Sequence, residues 1–476
     1  MNLRLLNIAI IVSSCILFIP GCSASKYSKN APNFKKVLTT ESVQVSAPFK
    51  MPELKIIIYP DRVYNISHFG AVDGGEVLNK DVISRVIKTC HDAGGGTVLI
   101  PEGKWLTGQI HFQSNVNLHI QDSAELIFSD DYNEYLPAVQ SSWEGMECFN
   151  YSPLIYAFNC RNVTLSGKGK LIAKIDKWEE WYGRPPLHME GLKNLYEMAV
   201  KNVPVKDRDM TKRDYHFRPQ FIQFNRCSNV VIENISIRNS PFWTVHLLLC
   251  KGVIVKGLDI FAHGHNNDGI DPEMTQNLLI ENCTFDQGDD AIAIKAGRDH
   301  DGWRLNTPTE NIVIRNCIVK NGHQLMAIGS EISAGVRNVY LHDCIIPTEG
   351  KTLLNNIVFI KTNSGRGGFV SNIHVKNIKA TKVSAGVLGI ATDVFYQWKN
   401  LVPQYEKRLT AINGIYLSDI EVNQADIPFS ISGDMEMPVQ DVILRNIKVK
   451  NYSGGQNIIK NVVGIKEIGV QLGNSK

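Results

Sequence analysis

From Asn229 to Val449 one hydrophobic–polar phrase keeps returning. It opens on Asn or Gly, alternates apolar and variable positions, turns through polar residues, and alternates again. It reads NVVIENISI from Asn229, GVIVKGLDI from Gly252, NLLIENCTF from Asn277 and NIVIRNCIV from Asn311. NVYLHDCII from Asn338, NIHVKNIKA from Asn372, GIYLSDIEV from Gly414 and DVILRNIKV from Asp441 follow, and NVTLSG from Asn162 precedes them. Period-two alternation rich in Val and Ile predicts strands, two per unit around a polar turn. From Asn229 the units start 23 to 42 residues apart. A base step in the twenties with irregular additions predicts a solenoid with loops growing from its faces. The short step leaves no room for a crossover helix, so the expected fold is an all-β, right-handed parallel β-helix with coils about 4.8 Å apart.

Cysteine positions keep the same register. Cys283, Cys317 and Cys344 each fall six residues after the start of their unit, and Cys160, Cys227 and Cys250 two before theirs. Small buried thiols stacked in two ladders are the expectation, rather than disulfides. No cysteine pair has zinc-ligand spacing.

NKDVISRVIKTCHDAGGG, from Asn79, changes period. Val82, Ile83, Val86, Ile87 and Cys90 form one helical stripe, with Asn79 as N-cap and the Gly run from Gly94 as stop. This short helix is expected to cap the open end of the first coil. The glycines then lead into a strand, TVLIPEG, which excludes a phosphate loop. Between Lys174 and Phe217 the repeat lapses into an aromatic, Pro-bearing and then charged stretch, read as an excursion from the solenoid, either the wall of a cleft or a plain surface loop.

The N-terminus has another pattern. Arg4, the apolar run LLNIAIIVSSCILFI and IPGC predict an export signal over residues 1–21. The IPGC ending resembles a bacterial lipobox, with Cys22 lipidated. Residues 22–60 are expected to tether residues 61–476, the β-helix domain. Localisation would be periplasmic, on a bacterial membrane, the outer one being favoured.

Composition changes little. The 476 residues are 43% hydrophobic and 20% charged with net charge +3, which gives no reason to expect nucleic-acid binding.

The chemistry sits in HNNDGIDPE, from His265, and DQGDDAIAIKAG, from Asp286. Asp268 and Asp289 are about one coil apart. Asp290 adjoins the second, Asp271 follows the first, and His323 and Lys361 each lie one enlarged coil further on. A solenoid would gather these into one cluster. Crowded carboxylates separate in pKa, giving the acid and base that glycoside hydrolysis needs. Spacing alone leaves two other readings open, Asp–Gly turns and a Ca²⁺ site.

NND at Asn266–Asp268, GDD at Gly288–Asp290, GH at Gly322–His323 and IKT at Ile360–Thr362, in that order, resemble the signatures of the polygalacturonase family of pectin hydrolases, glycoside hydrolase family 28. ISHFGAVDGG, GGGTVLIPEGKWLTG and IGSEISAGVRNV extend the likeness and are most like exo-acting bacterial members. The resemblance implies an inverting hydrolase of α-linked galacturonic acid without metal or cofactor. It implies Asp289 as general acid, Asp268 and Asp290 activating water, and His323 tuning the acid. Lys361 would pair with a uronate and Asn266 would fix the first aspartate. Two positions depart from the pattern. Gln324 stands where the family has Gly, and Phe359 where it has an Arg that holds anionic substrate. Arg366 or Arg298 is expected to replace that charge, or a neutral sugar such as rhamnose to occupy the leaving side. A lyase on the same fold and a non-catalytic pectin-binding β-helix are the competing readings. The expected partner is a pectic oligo- or polysaccharide, with the protein a monomer.

Overall fold

The structure is a computed structural model that describes residues 37–213, 215–347, 354–403, 406–453 and 457–475. The proposed signal and the Cys22 lipidation site lie outside the described residues. No helix among the described residues is long and apolar enough to cross a membrane.

Eleven short parallel strands, from Ile110–His111 to Ile458–Lys460, stack in sequence order into one sheet. The repeat phrases form the other walls, each pairing in parallel with the phrase one coil later: Val230 lies beside Val253, Val253 beside Leu278, and Leu278 beside Ile312. These are the coils of the expected right-handed parallel β-helix. Inward-facing Val, Ile and Leu make one continuous core along its axis, each buried side chain contributing about 1.5–3 kcal/mol.

The Asn that opens most units has a backbone reason. Asn162, Asn229, Asn277, Asn311, Asn338 and Asn372 all have φ between 53° and 61°, the left-handed turn into the strand. Gly252 and Gly414 take the same turn at φ 70° and 67°. The side chains also form a ladder. Asn229 donates to Asn162 at 2.9 Å, Asn311 to Asn277 at 2.9 Å, Asn338 to Asn311 at 2.9 Å and Asn372 to Asn338 at 2.7 Å. The six cysteines of the two expected ladders are free and buried, as are Cys90 and Cys148.

The capping helix α1 spans Lys80–Asp92 and buries Ile83, Val86, Ile87 and Cys90. Asn79 does not cap it by side chain. Its Oδ1 instead accepts from the Val72 amide at 2.7 Å, and its Nδ2 donates to the carbonyls of Val72, Val77 and Leu106. It ties the helix entry to the preceding loop and the first coil.

The tether expected over residues 22–60 needs correcting for its described part. Strands β1 (Thr39–Val43) and β2 (Leu54–Ile58) form an antiparallel hairpin. Val45, Leu54 and Ile57 bury against Val231, Ile254, Leu279 and Val313, outward-facing residues of four successive coils. These four residues make a stripe of apolar side chains on a face that otherwise points to solvent. Covering that stripe removes it from water, and this holds the hairpin down.

The excursion is folded. Helix α2 (Asp176–Glu179) leads to helix α3 (Pro186–Val200), which begins with Pro at its first position, where no amide partner is lost. Leu192, Leu195, Tyr196 and Ala199 recur at helical spacing and pack with Trp143, Phe217, Phe242, Trp243 and Trp398.

Candidate active site

The functional side chains come from successive strands of the eleven-stranded sheet. Ile270 pairs with Ile292, Ile292 with Met326, and Met326 with Val358. Counting back two residues aligns Asp268, Asp290, Gln324 and Asn356 on four neighbouring coils. The register therefore equates Asp268 with Asp290, one residue away from the Asp268–Asp289 alignment that spacing suggests. Asp289 stands just before this row, its carbonyl accepting from the His323 amide at 2.9 Å. Lys361 ends the strand Asn356–Lys361 and pairs with Gly329, where a side chain would meet Lys361 itself. A glycine there lets the Lys361 backbone carbonyl approach closely.

Asp268, Asp289, Asp290, His323, Lys361 and Asn266 all line one cleft of about 380 Å³, within the usual range for small-molecule sites. His323 Nδ1 is 2.9 Å from Asp289 Oδ1, and Lys361 Nζ is 3.0 Å from Asp290 Oδ2. Ligand atoms of Asp289, Asp290 and His323 lie within 4.8 Å of one another, the spread of a metal site. Here Lys361 already supplies the counter-charge to Asp290. Asn266 takes up a left-handed turn at φ 59°, and its Oδ1 faces Arg218 Nη2 at 3.3 Å. Arg218 is buried and also donates to the carbonyls of Pro241 and His265, bracing this turn from behind. Gln324 also lines the cleft, its Oε1 accepting from the Asn356 amide at 2.9 Å.

Three residues that spacing arguments did not single out belong to the site. Lys295 is buried, with Nζ 3.6 Å from Asp268, 3.5 Å from Asp271 and 3.5 Å from Glu331. It also lies 4.4 Å from the centre of the Trp243 ring. Glu331 and Tyr396 line the cleft as well. Lys295 was legible in principle, because in DDAIAIKAG the inward Ile292 and Ile294 alternate with Ala293 and Lys295, which face outward.

The two arginines expected to replace the missing charge are already engaged. Arg298 lines the cleft, but it is 2% exposed, bonds Glu331 and Glu144, and stacks 4.3 Å over Trp398. Arg366 is also 2% exposed and bonds Asp299 at 2.7 Å, outside the cleft lining. Both are structural cations, because burial allows a charge only with a fixed partner.

The charges are unevenly protonated. Burial, with Asp289 and Asp290 nearby, pushes the Asp268 carboxyl up to about 8 against the pull of Lys295. Burial raises Asp290 too, against the pull of Lys361. Asp271 lies behind Asp268 with no exposed surface, and burial and Asp268 keep it protonated. Burial also acts to raise Asp289, but the His323 hydrogen bond and charge outweigh it and draw its pKa below the ordinary carboxylate value. The same bond raises His323. In the protein alone the proton of this pair rests on the imidazole, and Asp289 is the ionised member. This differs from the simple expectation of a protonated Asp289 between charged neighbours. Tightly coupled groups share their proton, and a third charge redistributes it.

Residues 203–469 match the family model for glycosyl hydrolases family 28. The chain is 27% identical over 398 residues to a Vitis vinifera protein named probable polygalacturonase, covering 80% of this chain and 73% of that one. It is 24% identical over 309 residues to an exo-poly-alpha-D-galacturonosidase of Dickeya chrysanthemi, 60% of this chain and 50% of that one. Among solved structures, a hyperthermoactive exopolygalacturonase of Thermotoga maritima superposes with a TM-score of 0.79 at 34% identity, covering 87% of this chain and 93% of that one. The ordered carboxylates, the coil architecture and these matches lead to one assignment: the chain belongs to glycosyl hydrolases family 28 and is a glycosyl hydrolase.

Proposed function

We propose that this protein hydrolyses α-linked galacturonic acid at the end of pectic chains, with inversion. The observation that carries this reading is the convergence of Asp268, Asp289 and Asp290 on one cleft beside His323 and Lys361. A uronate carboxylate entering on the Asp289 side of the pair raises the cost of that carboxylate's charge and favours moving the shared proton onto Asp289. From there it passes to the leaving oxygen, while Asp290 and Asp268 hold water for attack on the other face. Lys361 balances Asp290, and Lys295 balances Asp268 from beneath. Exo action is supported by the residues that wall the cleft. Glu144, Arg184 and Trp398 stand along it, and Arg184 belongs to the excursion. Two of the three relatives named above, those of Dickeya chrysanthemi and Thermotoga maritima, are named as exo-acting. Digestion of defined oligogalacturonides tests this. Galacturonic acid should appear as the first product, and internal fragments appearing first would refute end-wise attack.

A second reading concerns the leaving-side sugar. Phe359 lines both the catalytic cleft and a neighbouring hollow of about 730 Å³. The ionisable groups lining that hollow are Asp393, Asp434 and Glu436, with no Lys, Arg or His among them. An acidic sugar there meets like charge, whereas rhamnose meets an aromatic ring. This supports rhamnogalacturonan as a substrate alongside polygalacturonan. The N-terminal reading belongs to the same proposal: a monomer held at a bacterial membrane through lipid on Cys22, tested by radiolabelled palmitate uptake that Cys22→Ser removes.

A further inference from the structure

A galacturonate in this cleft needs a cation free to receive its carboxylate, and the lining offers few. Lys295 is buried and enclosed by the carboxyl groups of Asp268, Asp271 and Glu331 at 3.5 to 3.6 Å. Arg298 is 2% exposed and bonded to Glu331, the Glu144 side chain and the Glu144 carbonyl. Lys361 bonds Asp290 at 3.0 Å, and the His323 charge is committed to Asp289. His265 is held down to about 4 by burial, Arg184 and Arg218, so it is neutral near pH 7.

Arg184 is different. Its side chain is 23% exposed at the cleft, and its Nη2 stands 3.7 Å from Glu144 Oε1, beyond hydrogen-bond reach. Glu144 is itself divided, with its other oxygen 3.3 Å from Arg298. A line of alternating charge results: Arg184, Glu144, Arg298, Glu331, Lys295, Asp268. Every inner member is buried and satisfied on both sides, and the outermost guanidinium has nitrogens to spare. Its position is fixed from both sides. Arg184 sits at φ 50° with its amide bonded to the Trp181 carbonyl, and Pro185 and Pro186 then start α3.

We infer that Arg184 is the specificity-determining residue that receives the carboxylate of the terminal galacturonate, through a two-pronged guanidinium contact. The excursion thus supplies a cation for the terminal sugar, which the β-helix wall itself does not leave free. This rests on the galacturonate reading above, and a binding measurement separates the two. The test is calorimetric titration of galacturonic acid and of galactose into the full chain, Arg184→Ala and Arg184→Lys. Replacing one non-glycine residue by another keeps the cost of the φ 50° conformation nearly the same, and circular dichroism and melting check the fold. The parent should prefer galacturonic acid to galactose, and Arg184→Ala should lose about 10- to 100-fold on the acid alone, the span of a charge-assisted pair. Arg184→Lys should recover part of it. A parent without acid preference, or an Arg184→Ala variant that keeps it, overturns the inference. Normal Arg184-dependent binding without sugar release would overturn the hydrolase reading and leave this one standing.

Discussion

The imidazole of His323 meets the carboxylate of Asp289 from the next coil, Nδ1 to Oδ1 at 2.9 Å, and the His323 amide bonds the Asp289 carbonyl at the same distance. The side-chain pair is therefore positioned by the backbone ladder itself. Because the bond lowers Asp289 and raises His323, the pair holds its proton to a pH above the ordinary histidine value of about 6.5. The alkaline limb of kcat/KM should fall above that pH. In His323→Ala the proton rests on a carboxyl alone, so the limb should move to lower pH as activity drops. Asp289→Asn should lose about 10²–10⁴-fold, the range for a general acid. An unmoved limb in His323→Ala would show that another group sets it.

Asp271 gives a prediction about stability. It is fully buried, neither oxygen has a hydrogen-bond partner in the structure, and its pKa is raised. Below the unfolded value of about 3.9 both states are protonated and the group costs nothing. Above it the unfolded chain releases the proton and the folded chain keeps it, so stability falls with rising pH by about 1.4 kcal/mol per unit. Asp271→Asn removes this dependence. Urea unfolding should find the variant gaining on the parent between pH 4 and pH 7, and level with it nearer pH 3. A constant difference across that range would contradict a neutral Asp271.

Much of this was legible because the solenoid converts sequence period into spatial rows. The Asn-led phrases mark coils directly, since the left-handed turn at each start favours Asn or Gly. The Asp, His and Lys positions follow from the same counting. What counting misses is what the coil carries across its faces. Lys295, Glu331 and Arg218 reach the site through side-chain direction, which a repeat length does not encode. Arg298 and Arg366 look free in sequence because their partners, Glu144 and Asp299, come from other loops. The alignment of Asp268 with Asp290 rather than Asp289 depends on a single-residue shift, below what a variable repeat resolves.

The Ser- and Lys-rich stretch after Cys22 masks the hairpin in the sequence, although the hairpin is itself largely apolar, as in LKIIIY from Leu54. Its partners Val231, Ile254, Leu279 and Val313 alternate outward in the repeat, where polar residues are expected. Leu54 is 1% exposed in this contact. Leu54→Ala should cost about 2–4 kcal/mol if the hairpin stays docked in the native state. If it instead acted as a loose leader, the unfolding midpoint would not change. The comparison is made by denaturant titration, with cleavage at residues 46–53 by a non-specific protease as a second measure of docking.

Phe359 carries the last prediction. Its ring lies against Gly389 on the following coil, where an added side chain would come within 2.8 Å of it. The glycine therefore lets the ring lie low between the catalytic cleft and the hollow with Asp393 and Asp434. Replacing the ring by a guanidinium puts a cation where the wall holds only carboxylates. Phe359→Arg should improve KM for substrates with galacturonate on the leaving side by about 10-fold, the size of one charge-assisted contact. It should worsen KM for those with rhamnose there, because the apolar face is lost. Rates on paired homogalacturonan and rhamnogalacturonan oligomers give the ratio. A ratio unchanged by the substitution would mean that the leaving sugar does not reach residue 359, and the case for a neutral leaving side would fall with it.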